Sequence, residues 1–210
     1  MTFAKRTDFD PATLERRDFY RLLTAVVVPR PIAWVSTVSA EGVDNLAPHS
    51  FFTVSCTEPP IVQFTTVGRK DSLVNVEQTR EFVVNLAGEQ HFEQINATGT
   101  EFPAEHSEFE RVGITGEPST LVRPKRVAES PVALECVLHS ATRFGDSTVV
   151  FGRVVHAAVH AEALEDGHPR IERLRPLARL GKDEWATIGE VRSIPRIRYA
   201  EWPGHYGERE

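Results

Sequence analysis

Two long β-branched runs sharing one tight turn constrain this chain most. Residues 131–144 and 148–160 are dense in Val, Ala and Thr, and Gly145-Asp146-Ser147 separates them. Such residues favour a pleated, half-buried backbone, and Gly with Asp supplies the reversal, so the pattern predicts one long hairpin. Shorter runs of the same kind recur at residues 32–39, 43–50, 61–66 and 81–87. Glu41-Gly42, Pro59-Pro60 and Gly68 punctuate them. The first two predict a second hairpin, in which Pro48 marks an edge, a bulge or a strand end, because proline cannot donate to a ladder. Many evenly spaced strands with few helices between them favour an antiparallel barrel over a parallel, doubly wound sheet.

The helices expected are short. Asp10-Pro11 places a cap before a first-turn proline, with Leu14, Arg17, Tyr20 and Arg21 following at helical spacing. Pro29 and Pro31 then hold the chain extended around Arg30. Further helices are predicted over residues 73–79 and 89–98, with a short helix or turn over 176–180. Residues 102–126 lack periodicity and read as irregular connections.

The chain has 210 residues, enough for one domain with trimmings. We expect an N-terminal extension over 1–20, a domain over 21–190 and a C-terminal tail over 191–210. The formal charge of −6, with signs mixed, argues against a nucleic-acid binder and against a protein of anionic membrane surfaces. Two cysteines, Cys56 and Cys136, are too few for a disulfide framework or a cysteine zinc site. They point to a reduced cytoplasm. No apolar run is long enough to span a membrane, and the charged start does not resemble a signal peptide. The dinucleotide, Walker A, nucleophile-elbow and His-Glu-x-x-His motifs do not occur. His156 and His160 lie in a strand-like run, where four residues span about 13 Å. That is too far for one ion with bonds near ~2 Å, so no metal site is expected.

Two clusters between residues 30 and 75 carry candidate chemistry. Gly68-Arg69-Lys70-Asp71-Ser72 sets two cations and a hydroxyl before a helix, whose first amides lack intrahelical acceptors. That pattern makes a phosphate cradle. It equally suits a helix capped by Asp71 or Ser72 with solvated cations. Residues 45–52 combine the polar tips of Asn45, His49 and Ser50 with the aromatic faces of Phe51 and Phe52. The mixture suits a flat heterocycle needing edge hydrogen bonds and a stacking wall, or an edge strand with core phenylalanines. Across the expected hairpin, Ser36 and Thr37 add hydroxyls or backbone groups.

Taken in order, these stretches resemble a known family. They are Ala33-Trp34-Val35-Ser36-Thr37, Asn45 with Pro48-His49-Ser50-Phe51-Phe52, Ser55, Pro59-Pro60, Lys70-Asp71-Ser72 with Asn75, and Phe82-Val83-Val84-Asn85. The ordered set resembles the flavin reductase-like family of FMN-binding split barrels. Leu134-Glu135-Cys136, the strand containing Gly152, and Arg175-Pro176-Leu177 extend the likeness over about residues 20–185. The resemblance implies a mainly β fold, a six-stranded antiparallel split β-barrel with peripheral short helices, working as a homodimer. It implies FMN as cofactor and NADH or NADPH as donor of a hydride to the flavin. By the family pattern Ser36, Thr37, Asn45, Ala47, Pro48, His49, Ser50 and Phe51 line the isoalloxazine and ribityl chain. Ser55 and Cys56 approach the flavin, and Arg69, Lys70, Ser72 and Asn75 hold the phosphate, with Asp71 beside them. No catalytic side chain is implied. The partner implied is a monooxygenase or another electron acceptor. The alternative is an FMN-binding electron carrier or storage protein without NAD(P)H activity of its own.

Overall fold

The long hairpin is the spine of the fold. In the computed structural model, which describes residues 4–204, it spans thirteen residues on each side of Gly145-Asp146. Seven strands form the large sheet: β1 (Ala33–Val38), β2 (Asp44–His49), β3 (Phe52–Cys56), β4 (Ile61–Val67), β5 (Glu81–Leu86), β6 (Val132–Phe144) and β7 (Ser147–Val159). Their order is β2-β1-β5-β6-β7-β4-β3, and every neighbouring pair is antiparallel. The helices are α1 (Arg16–Val26), α2 (Asp71–Thr79), α3 (Phe92–Ala97), α4 (Glu108–Val112) and α5 (Ile171–Leu174). Among the described residues no helix is long and apolar enough to cross a membrane.

The expected count of six strands is corrected to seven, and among the described residues no ladder joins the edge strands β2 and β3. The added strand is β3. The chain reverses after Ser50 and returns along β4, pairing Phe52 with Phe64. Pro48 sits opposite Trp34 in β2, an edge strand, where its missing N–H leaves no ladder incomplete.

Strand alternation divides the apolar residues between two layers. Ala33 and Val35, Val62 and Phe64, Phe82 and Val84, Cys136 and Leu138, and Val150 form the inner core with Leu73 and Val76 of α2. Phe64 meets Phe82 edge-on, with centroids 5.3 Å apart. Trp34 and Leu46 point to the other side, where Ile95 of α3 and Phe109 of α4 cover them. The indole N–H of Trp34 donates to Thr98 Oγ1 at 2.9 Å. Gly152 makes the inner layer fit: a Cβ there would stand 2.2 Å from Phe82 Cζ. The ladder between β6 and β7 shifts register beside this glycine.

Two helix expectations are also corrected. α1 begins at Arg16, later than the cap signal placed it. Asp10 closes a separate turn instead, its carboxylate accepting from Ala12 N and its carbonyl from Thr13 and Leu14 N. Near the C-terminal end the helix is α5, and the segment after it is extended. Arg175 takes the left-handed conformation at φ 44°, and Pro176 prevents the helix continuing. Ala178–Arg179 then pairs with Arg30–Pro31 and Trp185–Ala186 in a small sheet. Of the expected flanks, residues 1–3 and 205–210 lie outside the described residues.

Candidate functional site

A cleft of about 440 Å³ opens where the ends of β2 and β4 meet the start of α2. Asn45, Ala47, Pro48, His49, Ser50 and Phe51 form one wall, and Arg69, Lys70, Asp71 and Ser72 another. The two sequence clusters therefore share one cavity. Gly68, at φ +77°, ends β4 and turns the chain into α2. Leu73 and Val74 amides bond to the Lys70 carbonyl, which leaves the amides of Asp71 and Ser72 without intrahelical acceptors. No side chain caps this end. Asp71 is the first helical residue and does not serve as the cap, and Ser72 turns its hydroxyl to the β2 wall.

A buried polar ladder fixes that junction. Asn45 faces Thr37 in the β1–β2 register, and its Nδ2 donates to Thr37 Oγ1 at 3.1 Å and to Ser72 Oγ at 3.3 Å. Asn75, one turn further along α2, donates to the same Thr37 oxygen at 3.0 Å. Thr37 and Asn75 thus stand behind the cleft and tie the hairpin to the helix. His49 Nε2 lies 3.3 Å from Ser72 Oγ, and its ring packs on Phe64 with centroids 4.7 Å apart. Burial pushes the His49 pKa down to about 4, against a smaller opposing hydrogen bond with the Thr65 backbone. At neutral pH the ring is therefore uncharged.

Glu108 of α4 also reaches the cleft, although it is only 5% exposed, and accepts from Leu46 N at 2.9 Å. Desolvation raises its pKa; the Leu46 amide opposes the shift, and the Asp71 charge adds to it. The two cations are differently held. Arg69 pairs with Glu77 at 2.7 Å, and Lys70 pairs with Glu101. All four side chains are solvent-exposed, so each pair is worth about 0–1 kcal/mol and yields readily to a competing anion.

Three expected residues lie elsewhere. Strand alternation turns Ser36 to the outer layer, where its hydroxyl donates to Lys125 O at 2.5 Å and accepts from Asn85 Nδ2. Ser55 is exposed on β3, and Cys56 donates its thiol to Glu58 O at 3.3 Å. Neither borders the cleft. Tyr20, Thr65, Thr66, Val67, the segment 98–102 and Glu108 complete the lining without having been expected. The small residues Thr98-Gly99-Thr100 after a helix were the available signal for that segment. Glu108 sits in a stretch without periodicity and gave none.

The fold and cleft define a class: an antiparallel β scaffold whose cleft brings polar tips, an aromatic face and two exposed cations together. Residues 25–178 match the model of the flavin reductase like domain, and the chain belongs to this family. An uncharacterised protein of Aquifex aeolicus (strain VF5) is 42% identical over 168 residues, covering 77% of this chain and 86% of its own. Among solved structures, nitrilotriacetate monooxygenase component B from Bacillus cereus superposes with a TM-score of 0.87. It is 32% identical and covers 91% of this chain and 100% of its own. The 2-nitrobenzoate 2-nitroreductase of Pseudomonas fluorescens gives 0.86 at 30% identity, over 92% and 98%.

Proposed function

We propose that the chain is an NAD(P)H:flavin oxidoreductase that holds FMN in the 440 Å³ cleft. Within this reading it serves as the reductase component of a two-component monooxygenase. One observation carries the proposal: an uncapped helix start flanked by Arg69 and Lys70 opens into the same cavity as the Asn45–Ser50 wall. The volume falls in the ~300–1,000 Å³ range of cofactor sites. The residues suit the group chemically. Open amides of Asp71 and Ser72 and two weakly engaged cations match a phosphate. Polar tips beside Phe51 match a heteroaromatic ring with hydrogen-bonding edges.

When bound, the flavin would supply the redox chemistry, as acceptor of a hydride from NAD(P)H. The chain's own residues bind and orient. Arg69 and Lys70 exchange Glu77 and Glu101 for phosphate oxygens, and the α2 dipole adds to their attraction. Asn45, Ser50 and neutral His49 present hydrogen-bonding groups, and Ala47 and Pro48 leave room for a ring. Thr37 and Asn75 act as positioning residues, because they hold Asn45 against α2. Phe51 lies beside buried Arg30, whose guanidinium carbon is 5.9 Å from the ring centre. The donor approaches from the open side of the cleft.

The name of the Bacillus cereus relative supports a role beside an oxygenase. We further propose a cytoplasmic homodimer, with the exposed outer end of the β6–β7 hairpin available for pairing. Titrating FMN into the purified protein and then adding NADH or NADPH tests the reading. Saturable FMN binding followed by bleaching of the flavin colour is expected. Bound flavin that neither nucleotide bleaches would leave a carrier fed by a protein partner.

A further inference from the structure

A second cavity adjoins the flavin cleft, and its charge is strongly one-sided. This bay, of about 590 Å³, shares Tyr20 and Ser50 with the cleft. Five cations line it: Arg17, Arg21, Arg30, Arg179 and Lys182; Asp183 is the single lining carboxylate. The whole chain carries a formal charge of −6, so this concentration is local. Arg17, Tyr20, Arg21 and Thr24 recur at three- and four-residue spacing, which sets them on one face of α1.

The cations are held in place but poorly neutralised. Arg21 pairs with Asp18 at 3.3 Å. Arg17, Arg30, Arg179 and Lys182 have no carboxylate partner among the described residues. Arg30 is 7% exposed and donates to the backbone carbonyls of Thr24, at the end of α1, and Leu180. Its Nε stands 3.5 Å from Ser50 Oγ, on the wall common to both cavities. Arg179 stacks on Trp185 at 4.5 Å and donates to Lys182 O. Burial and the charge of Arg179 both press against the Arg30 charge. A buried cation pressed by a half-buried cationic neighbour beside a cavity is relieved by a polyanion.

We infer that this bay is the subsite for the phosphate groups of the dinucleotide hydride donor. The inference rests on the reductase reading and extends it. The flavin phosphate already has its cradle at α2, so a second cationic cavity calls for a second phosphate-bearing ligand. A pyridine dinucleotide has a flat ring at one end and phosphates away from it. Joined through Tyr20 and Ser50, the two cavities match that plan, with the ring in the cleft and the phosphates in the bay.

The test is calorimetric titration of the FMN-loaded protein with ADP-ribose, which carries the donor's pyrophosphate and no nicotinamide. Saturable binding that weakens with salt is expected. The variant carrying Arg17→Ala and Lys182→Ala should bind at least about tenfold more weakly. Both positions are exposed, so the fold and the flavin spectrum should persist. A second variant with Arg17→Lys and Lys182→Arg should keep most of the affinity. No saturable binding by the parent, or equal binding by the alanine variant, overturns the bay. Bleaching by NADPH is scored separately. Bleaching with unchanged alanine-variant affinity removes the bay alone; lost affinity without bleaching keeps the bay as a phosphate site but overturns both the reductase and the bay's role for a hydride donor.

Discussion

His49 shows how one residue's burial becomes a measurable property. Its folded pKa of about 4 lies below the ordinary 6.5, so the unfolded chain binds the extra proton first. Stability unaffected by this group above pH 6.5 should therefore fall as pH drops toward 4, by about 3 kcal/mol in all. Denaturant unfolding across that range should show the loss in the parent and its absence in His49→Gln. Glu108 works in the opposite sense. Its folded pKa is raised, so the folded state keeps its proton longer and loses stability as pH rises above about 4.5. Glu108→Gln retains an acceptor for the Leu46 amide, and its stability relative to the parent should improve with rising pH. Cys136 is buried and its thiol pKa is pushed up, so it packs as a small hydrophobe. Cys56→Ser should leave flavin reduction unchanged, since that thiol lies off the cleft; loss of reduction with flavin still bound would make it part of the chemistry.

At the scale of elements, α2 ties the site to the core. Its Leu73 and Val76 fill the inner layer while its first turn forms the cleft wall. Replacing Arg69 and Lys70 together with Ala should leave that packing intact and weaken FMN by about 1.5–3 kcal/mol per lost charge-assisted bond. FMN titration reads this directly, and parent-like affinity would remove the phosphate assignment. Gly152→Ala strains the β7 side of the same core against Phe82 and should lower stability by about 1–3 kcal/mol. Adding Phe82→Leu should return part of the loss in thermal unfolding. Much of this was legible in the sequence. Alternation and turn residues located both hairpins, and Gly68 with Ser72 located the start of α2. β3 was harder to see because Phe52 to Cys56 has polar residues on an exposed edge and neither glycine nor proline at the bend before it. The later start of α1 was concealed because Asp10 can cap a turn as readily as a helix. Ser36 was grouped with Thr37 across the hairpin and by resemblance, whereas strand alternation turns the two to opposite sides. Glu108 and the 98–102 segment meet β2 only through tertiary packing, which local pattern does not encode.

For the whole molecule, the open seven-strand sheet matters because its edge strand β2 and the turn after it line the cavities. β2 brings Asn45 to His49 to the cleft, and the turn before β3 brings Ser50 to both cleft and bay. A closed ladder would leave no such gap between strand end, helix start and α1. The visible spectrum of the FMN-loaded protein, recorded without oxygen before and after one equivalent of NADPH or NADH, tests the central claim most directly. Loss of the flavin's visible band, with Arg69→Ala and Lys70→Ala lowering the fraction of protein that carries it, is the expected result. A protein that takes up no FMN, or one that stays yellow with both nucleotides, would contradict it.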